Sequence, residues 1–135
     1  MWLAIGVAGQ ALDRGRRPEW RRATGAVASA YVANFAIKVA VGRRRPSLPG
    51  LPPLTGTPTA LSFPSAHAST SFAGALAFTR LGLPAAPLYA LAASLALSRL
   101  YLGVHYPSDV FAGALGGTVL AAALTHAEPG GDVTR

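Results

Sequence analysis

The chain has no cysteine. That excludes a disulfide frame, a thiolate zinc site and a thiol nucleophile. It is poor in acidic residues: Asp and Glu together number five, against 12 Lys and Arg, for a net charge of +7. A metal-assisted hydrolase needs several carboxylates at one point, so this scarcity argues against a metal centre. Charged residues make up only 13% of the sequence while 51% is apolar, and the arginines fall in short clusters between apolar runs. A nucleic-acid binder would spread its basic charge over a soluble face and carry a recognition motif. Neither is present, so no nucleic-acid partner is expected. Arginines flanking membrane helices account for the pattern better. The sequence contains no internal repeat, and no basic stretch precedes its first apolar segment as a signal peptide would require.

What is present reads as a single all-α unit, a polytopic transmembrane helix bundle with four to five membrane helices over residues 1–126, followed by a disordered tail over 127–135. Residues 2–12 are apolar but shorter than the roughly 20 residues a span needs. Residues 13–22 hold five arginines and read as a cytoplasmic loop, with Trp20 at the headgroup level. Spans are expected over 23–42, 85–102 and 107–125, with a further helix from Ala66 to about Phe78. The Pro-, Gly- and Thr-rich stretch 47–63 reads as a loop on the membrane surface, long enough to suggest a lid or an entry lip. Gly113 and Gly117 form a small-xxx-small pair suited to close helix packing.

Chemistry concentrates in three places. In 98–109, SRLYLGVHYPSD, Pro107 fits the first position of a helix and puts Asp109 in its first turn. His105 then lies just outside the helix, within reach of that carboxylate, which leaves its other ring nitrogen free to attack or to move protons. Arg99 offers a planar fork to a phosphate. In 38–46, KVAVGRRRP, Lys38 lies four residues after Asn34 on one helix face, and a lysine this deep in an apolar helix usually faces a polar cavity. Arg45 comes two helical turns after Lys38, on nearly the same face if the helix runs on to Pro46. Arg43 and Arg44 read as flanking charge. In 64–67, PSAH, Ser65 is a good N-cap, and the free N–H groups of the helix it opens would bind an anion beside His67. Each stretch alone has an ordinary structural explanation: a capped turn, a snorkelling lysine, a satisfied histidine.

Alternating helix directions bring the three stretches to one face and leave Arg14, Arg16, Arg17, Arg21, Arg22 and Arg80 on the other. Since arginine-rich loops stay cytoplasmic, the chemical face is expected to point outward from a multi-pass protein of the cell membrane. Three cations, a helix N-terminus and two histidines make an oxyanion site of the kind phosphoryl transfer requires.

The three stretches, in this order and with this spacing, resemble the signature of the type 2 phosphatidic acid phosphatase superfamily, in its membrane-bound bacterial branch. The signature is Lys, six residues and Arg-Pro; Pro-Ser-Gly-His; and Ser-Arg, five residues, His, three residues and Asp. The resemblance covers about residues 23–125. It implies that His105 is the nucleophile, forming a phosphohistidine and oriented by Asp109, and that His67 is the general acid. It implies that Lys38, Arg45, Arg99, Ser65 and the backbone N–H of Ala66 hold the phosphate, with no metal and no cofactor. The substrate would be a lipid or polyprenyl phosphate: phosphatidic acid, phosphatidylglycerol phosphate, undecaprenyl pyrophosphate or a decaprenyl-linked phosphosugar. Ala66 stands where the family has glycine, which would matter if that position needed a positive φ and not if it merely opens a helix. A phosphate-lipid binding protein without turnover and a vanadate-dependent haloperoxidase are the competing readings. The sequence assigns no oligomeric state.

Overall fold

A computed structural model describes residues 1–47 and 54–126. The part of the 47–63 loop at 48–53 and the tail at 127–135 lie outside the described residues. The described residues form five helices: α1 (Trp2–Leu12), α2 (Arg17–Val41) after a 3-10 turn at Arg14–Arg16, α3 (Ala66–Thr79), α4 (Ala85–Tyr101) and α5 (Pro107–Leu124). Among the described residues there is no strand, only an isolated bridge between Arg44 and Leu61. The segment from Arg14 to Val41 and helix α5 are each long and apolar enough to cross a membrane, and α1 is a shorter apolar helix.

Helix α3 sits at the centre and packs against α2, α4 and α5. Its sequence, AHASTSFAGALAFT, explains why: small side chains let its neighbours close on several sides. The closest approach is to α5, where a Cβ on Gly117 would collide with the Ser69 backbone and one on Gly113 would stand 2.5 Å from the Ser65 carbonyl oxygen. Only glycine lets the two backbones meet at this distance. Many of the large apolar side chains of α2 and α5 point outward instead. Val32, Phe35 and Val39 of α2 and Phe111, Leu115 and Val119 of α5 are all exposed, at the three- and four-residue spacing of a single helix face.

Two expectations need correction. The arginine-rich stretch 13–22 is not a loop: α2 begins at Arg17, with Pro18 in its first turn and Glu19 there too, bound by Arg16 at 2.7 Å. Those are ordinary helix-start signals. Trp20, within this helix, is buried among protein side chains. Its ring lies 5.7 Å from that of Phe78, its indole N–H donates to Asp13 Oδ2 at 3.1 Å, and Trp2 stacks on the same Phe78 at 6.1 Å. Nor does α2 run on to Pro46. It ends at Val41 because Gly42 adopts φ of +66°, the left-handed conformation that stops a helix cheaply only at glycine. The chain then doubles back, and Arg43 to Arg45 run beside residues 60–62, with Ser62 N–H donating to the Arg43 carbonyl at 2.7 Å and Arg45 N–H to the Ala60 carbonyl at 3.1 Å.

Candidate active site

Three helix ends and the returning strand-like segment meet around one cavity. It has a volume of about 150 Å³ and is bordered by Asn34 and Lys38 of α2, Arg45, Pro58 and Thr59 of the returning segment, Ala66 and His67 of α3, and His105. Helix α3 starts where Ser65 caps it, its hydroxyl accepting from Ala68 N–H at 3.4 Å. Ser65 is wholly buried, and its N–H donates to the Asp109 carbonyl at 2.9 Å. That bond ties the mouth of α3 to the first turn of α5. Ala66 is the first helical residue and has a negative φ, since among the described residues only glycines have a positive one. The methyl group therefore causes no backbone strain, and the N–H keeps its place at the helix terminus.

His105 lies in the turn before α5, 6% exposed. Its Nε2 is 3.1 Å from Arg45 Nη1. A guanidinium nitrogen can only donate, so Nε2 accepts and carries the lone pair. The ring proton of the neutral imidazole is then on Nδ1, which faces Asp109 Oδ2 at 3.5 Å. This is beyond normal N–H···O range, and Nδ1 has no hydrogen-bond partner among the described residues. Burial, with the charges of Arg45 and then Lys38, pushes the His105 pKa down to about 4, and Asp109 opposes the shift only in part. The imidazole is neutral at physiological pH, as a nucleophile must be.

Arg45 is held by its own backbone neighbours: Nε donates to the Thr59 carbonyl at 2.9 Å and Nη1 to the Val104 carbonyl at 2.8 Å. Burial lowers its pKa, the Asp109 charge raises it, and the Arg99 charge lowers it further. A guanidinium remains charged regardless. Lys38 is 5% exposed and spends its three N–H donors on the carbonyls of Leu61, Ser62 and Pro64, at 3.3, 3.2 and 2.9 Å. It therefore offers the cavity its charge, and it pins the chain leading into α3. Arg99 does not border the cavity. Its Nε donates to Ser98 Oγ at 3.1 Å, close enough for its charge to act on Arg45. Ser65 is likewise behind the wall, not in it.

The sequence reading missed Arg43. It donates to Asp109 Oδ1 at 3.0 Å and to Ser108 Oγ at 2.8 Å, and its guanidinium lies 4.2 Å from the centre of the Tyr106 ring. Asp109 is fully buried, and its Oδ2 also accepts from Tyr106 N–H at 2.8 Å. One carboxylate thus binds a cation and a backbone amide and stands 3.5 Å from the His105 ring. Nothing in the spacing of RRRP marks its first arginine for this task.

At the other end of the bundle, Glu19, Arg22, Arg80 and His126 border a larger cleft of about 450 Å³. Arg80 Nη1 donates to the Ala122 carbonyl at 2.9 Å and Arg16 Nη1 to the Leu81 carbonyl, also at 2.9 Å. Arg16, Arg22 and Arg80 gather there as the alternation of helices suggested, away from His67 and His105.

The sequence is similar to those of known proteins. The PAP2 superfamily model matches residues 20–130. The chain is 44% identical over 113 residues to the decaprenylphosphoryl-5-phosphoribose phosphatase of Mycolicibacterium smegmatis, covering 83% of this chain and 62% of that protein. It is also 44% identical over 120 residues to the Mycobacterium tuberculosis H37Rv protein of the same name, covering 87% and 67%. A lipid A 1-phosphatase of Rhizobium etli is 39% identical over 106 residues, covering 70% and 44%. The chain spans about two thirds of the length of the mycobacterial relatives. No solved structure matches it.

Proposed function

This chain belongs to the PAP2 superfamily, and from that premise we propose that it is an integral membrane phosphatase acting on a lipid or polyprenyl phosphate through a phosphohistidine. The observation that carries the reading is the cavity itself: His67, Arg45, Lys38, the amide end of α3 and His105, with the lone pair of Nε2 turned to Arg45, all border one small space. By the names of its mycobacterial relatives, the first substrate to test is a decaprenyl-linked phosphoribose. Phosphatidic acid, phosphatidylglycerol phosphate and undecaprenyl pyrophosphate follow.

The arrangement suggests the order of events. An arriving phosphoryl group takes over the Arg45 donor that now covers His105 Nε2, and the lone pair is released. Nε2 attacks phosphorus opposite the ester oxygen, the P–O bond breaks, and the leaving oxygen takes its electron pair and a proton from His67. The Nδ1–H moves into hydrogen-bond range of Asp109 as positive charge grows on the ring. Water then gives a proton to His67 and attacks the phosphohistidine, and the N–P electron pair returns to Nε2 as inorganic phosphate leaves. Arg45, the Lys38 and Arg99 charges and the α3 amides stabilise the equatorial oxygens throughout. Because the charge-matching groups are cationic side chains, the reaction needs no metal.

We read residues 1–126 as one membrane domain in which α2 to α5 cross the bilayer and α1 adds a short fifth helix. Support comes from the outward apolar faces of α2 and α5 around an interior holding Asn34, Lys38, Ser65, Ser69 and Asp109. The arginine-lined end would be cytoplasmic and the histidine end outward. Phosphate release from a panel of these lipids in detergent with EDTA, for wild type and His105→Ala, tests the function. Turnover that survives EDTA and is lost in the variant is the expected result. Equal release by the two proteins would exclude His105 as the nucleophile.

A further inference from the structure

One buried polar group near the cavity has no role in the chemistry above. Asn34 is 3% exposed, and neither Oδ1 nor Nδ2 has a hydrogen-bond partner among the described residues. An unpaired buried amide is costly and rare enough to require a reason. It borders the same cavity as Lys38, His67 and His105. On its other side is a smaller space of about 50 Å³ lined mainly by apolar groups such as Ala30, Ile37 and Leu120. The polar atoms near that space are already engaged: the Pro64 carbonyl accepts from Lys38, and Ser69 Oγ donates to the Ala30 carbonyl. The amide's unmet capacity therefore belongs to the cavity.

We propose that Asn34 binds a hydroxyl group on the alcohol side of the substrate, so that the site favours phosphate esters of a sugar or other polyol over esters with no free hydroxyl near the phosphorus. This rests on the phosphatase reading. An ionised phosphate only accepts hydrogen bonds and would leave Oδ1 unpaired, and cations already serve it. A hydroxyl both donates and accepts, so one hydroxyl, or two neighbours, can satisfy both ends of the amide. Asn34 lies one helical turn before Lys38, about 6 Å further along α2. That offset separates it from the charge cluster by roughly the distance between a phosphorus and a hydroxyl about four bonds beyond the ester oxygen, as the 3-hydroxyl is in a ribose 5-phosphate. Sites that hydrogen-bond a substrate hydroxyl discriminate strongly against analogues without it, because their own polar groups are then left unpaired.

The test uses a matched pair of esters: ribose 5-phosphate with a long alkyl chain on its anomeric oxygen, and the 2,3-dideoxy counterpart with the same chain. The ratio of kcat/KM for the two is measured with wild type and Asn34→Leu in detergent. Binding of the corresponding non-hydrolysable phosphonates is measured by calorimetry. The wild type is expected to prefer the hydroxylated ester by about tenfold to a hundredfold, and the ratio to fall toward one in Asn34→Leu. Equal treatment of the pair by wild type, in turnover and in binding, would overturn the proposal even if the variant failed to fold. So would a folded variant that kept the preference. Unequal binding with no turnover of either ester would instead overturn the phosphatase reading and leave the role of Asn34 standing.

Discussion

Replacing Arg43 by alanine removes one of three claims on the Asp109 carboxylate. Arg43 holds Oδ1 at 3.0 Å while His105 Nδ1 stands 3.5 Å from Oδ2. Without the guanidinium the carboxylate can turn on its remaining Tyr106 N–H bond and close on the ring. Bringing a unit charge pair from 3.5 Å to about 2.8 Å at an effective dielectric of about 20 is worth about 1 kcal/mol, somewhat under one pKa unit. The His105 pKa, depressed to about 4 by burial and by Arg45 and Lys38, should therefore rise by that amount. The His105 imidazole is then protonated at a higher pH, and if it is the proposed nucleophile the acid limb of the kcat/KM profile should move up by a little less than one unit. Comparing variant with wild type on one substrate cancels the ester's own ionisation, and the charges of Arg45, Lys38 and Arg99 are common to both. Stability should fall as well. Asp109 is fully buried and Arg43 is 39% exposed, so the loss should lie between that of a surface and a buried pair, about 1–3 kcal/mol. A fall in melting temperature with an unmoved acid limb would refute the argument, because it would leave Arg43 a structural role only.

Three further outcomes are expected. The depressed His105 pKa means the folded protein binds fewer protons than the unfolded chain between the two pKa values, so its stability contribution is complete above about pH 6.5 and is lost as pH falls toward 4; thermal unfolding in detergent across that range should show it, and His105→Gln should flatten it. Gly117→Ala should cost about 1–3 kcal/mol by driving a methyl into the Ser69 backbone, while Gly116→Ala, whose Cβ would meet nothing within 4 Å, should be neutral or stabilise by up to about 1 kcal/mol; equal melting temperatures for the two would contradict the close α3–α5 contact. Ser65→Ala should lower stability by about 1 kcal/mol through loss of the α3 cap, and should lower kcat as well, because the same turn carries Ala66 and His67; a variant with full kcat would detach the cap from the site.

Much of the site was legible because its signals are local. Pro107 and Ser65 mark helix starts within a few residues, so the positions of Asp109 and His67 relative to those starts followed from the sequence. The family signature supplied the roles. What could not be read depends on contacts between distant segments. Arg43 meets Asp109 across 66 residues, and Trp20 is buried only because Phe78 is there to receive it. The three carbonyls that bind Lys38 come from a segment whose path no spacing rule fixes. The start of α2 was a different case. Pro18 and Glu19 are local helix-start signals, but they stand among five arginines in ten residues, a density that reads as a loop. The number of helices that cross the membrane was set by apolar composition, and two described segments meet the length it requires.

The chain has two tryptophans, and both rings lie against Phe78 at the arginine-rich end. Trp20 and Lys38 are 18 residues apart on α2, about 27 Å along the helix. Intrinsic fluorescence of this protein is therefore an optical report on one end of the bundle. Its emission would follow the undocking of α1 from α2 and α3 and stay silent when a ligand fills the cavity. Set beside loss of turnover during denaturation, it gives two probes at opposite ends of one short chain, and their coincidence or separation would show whether the bundle melts as a unit.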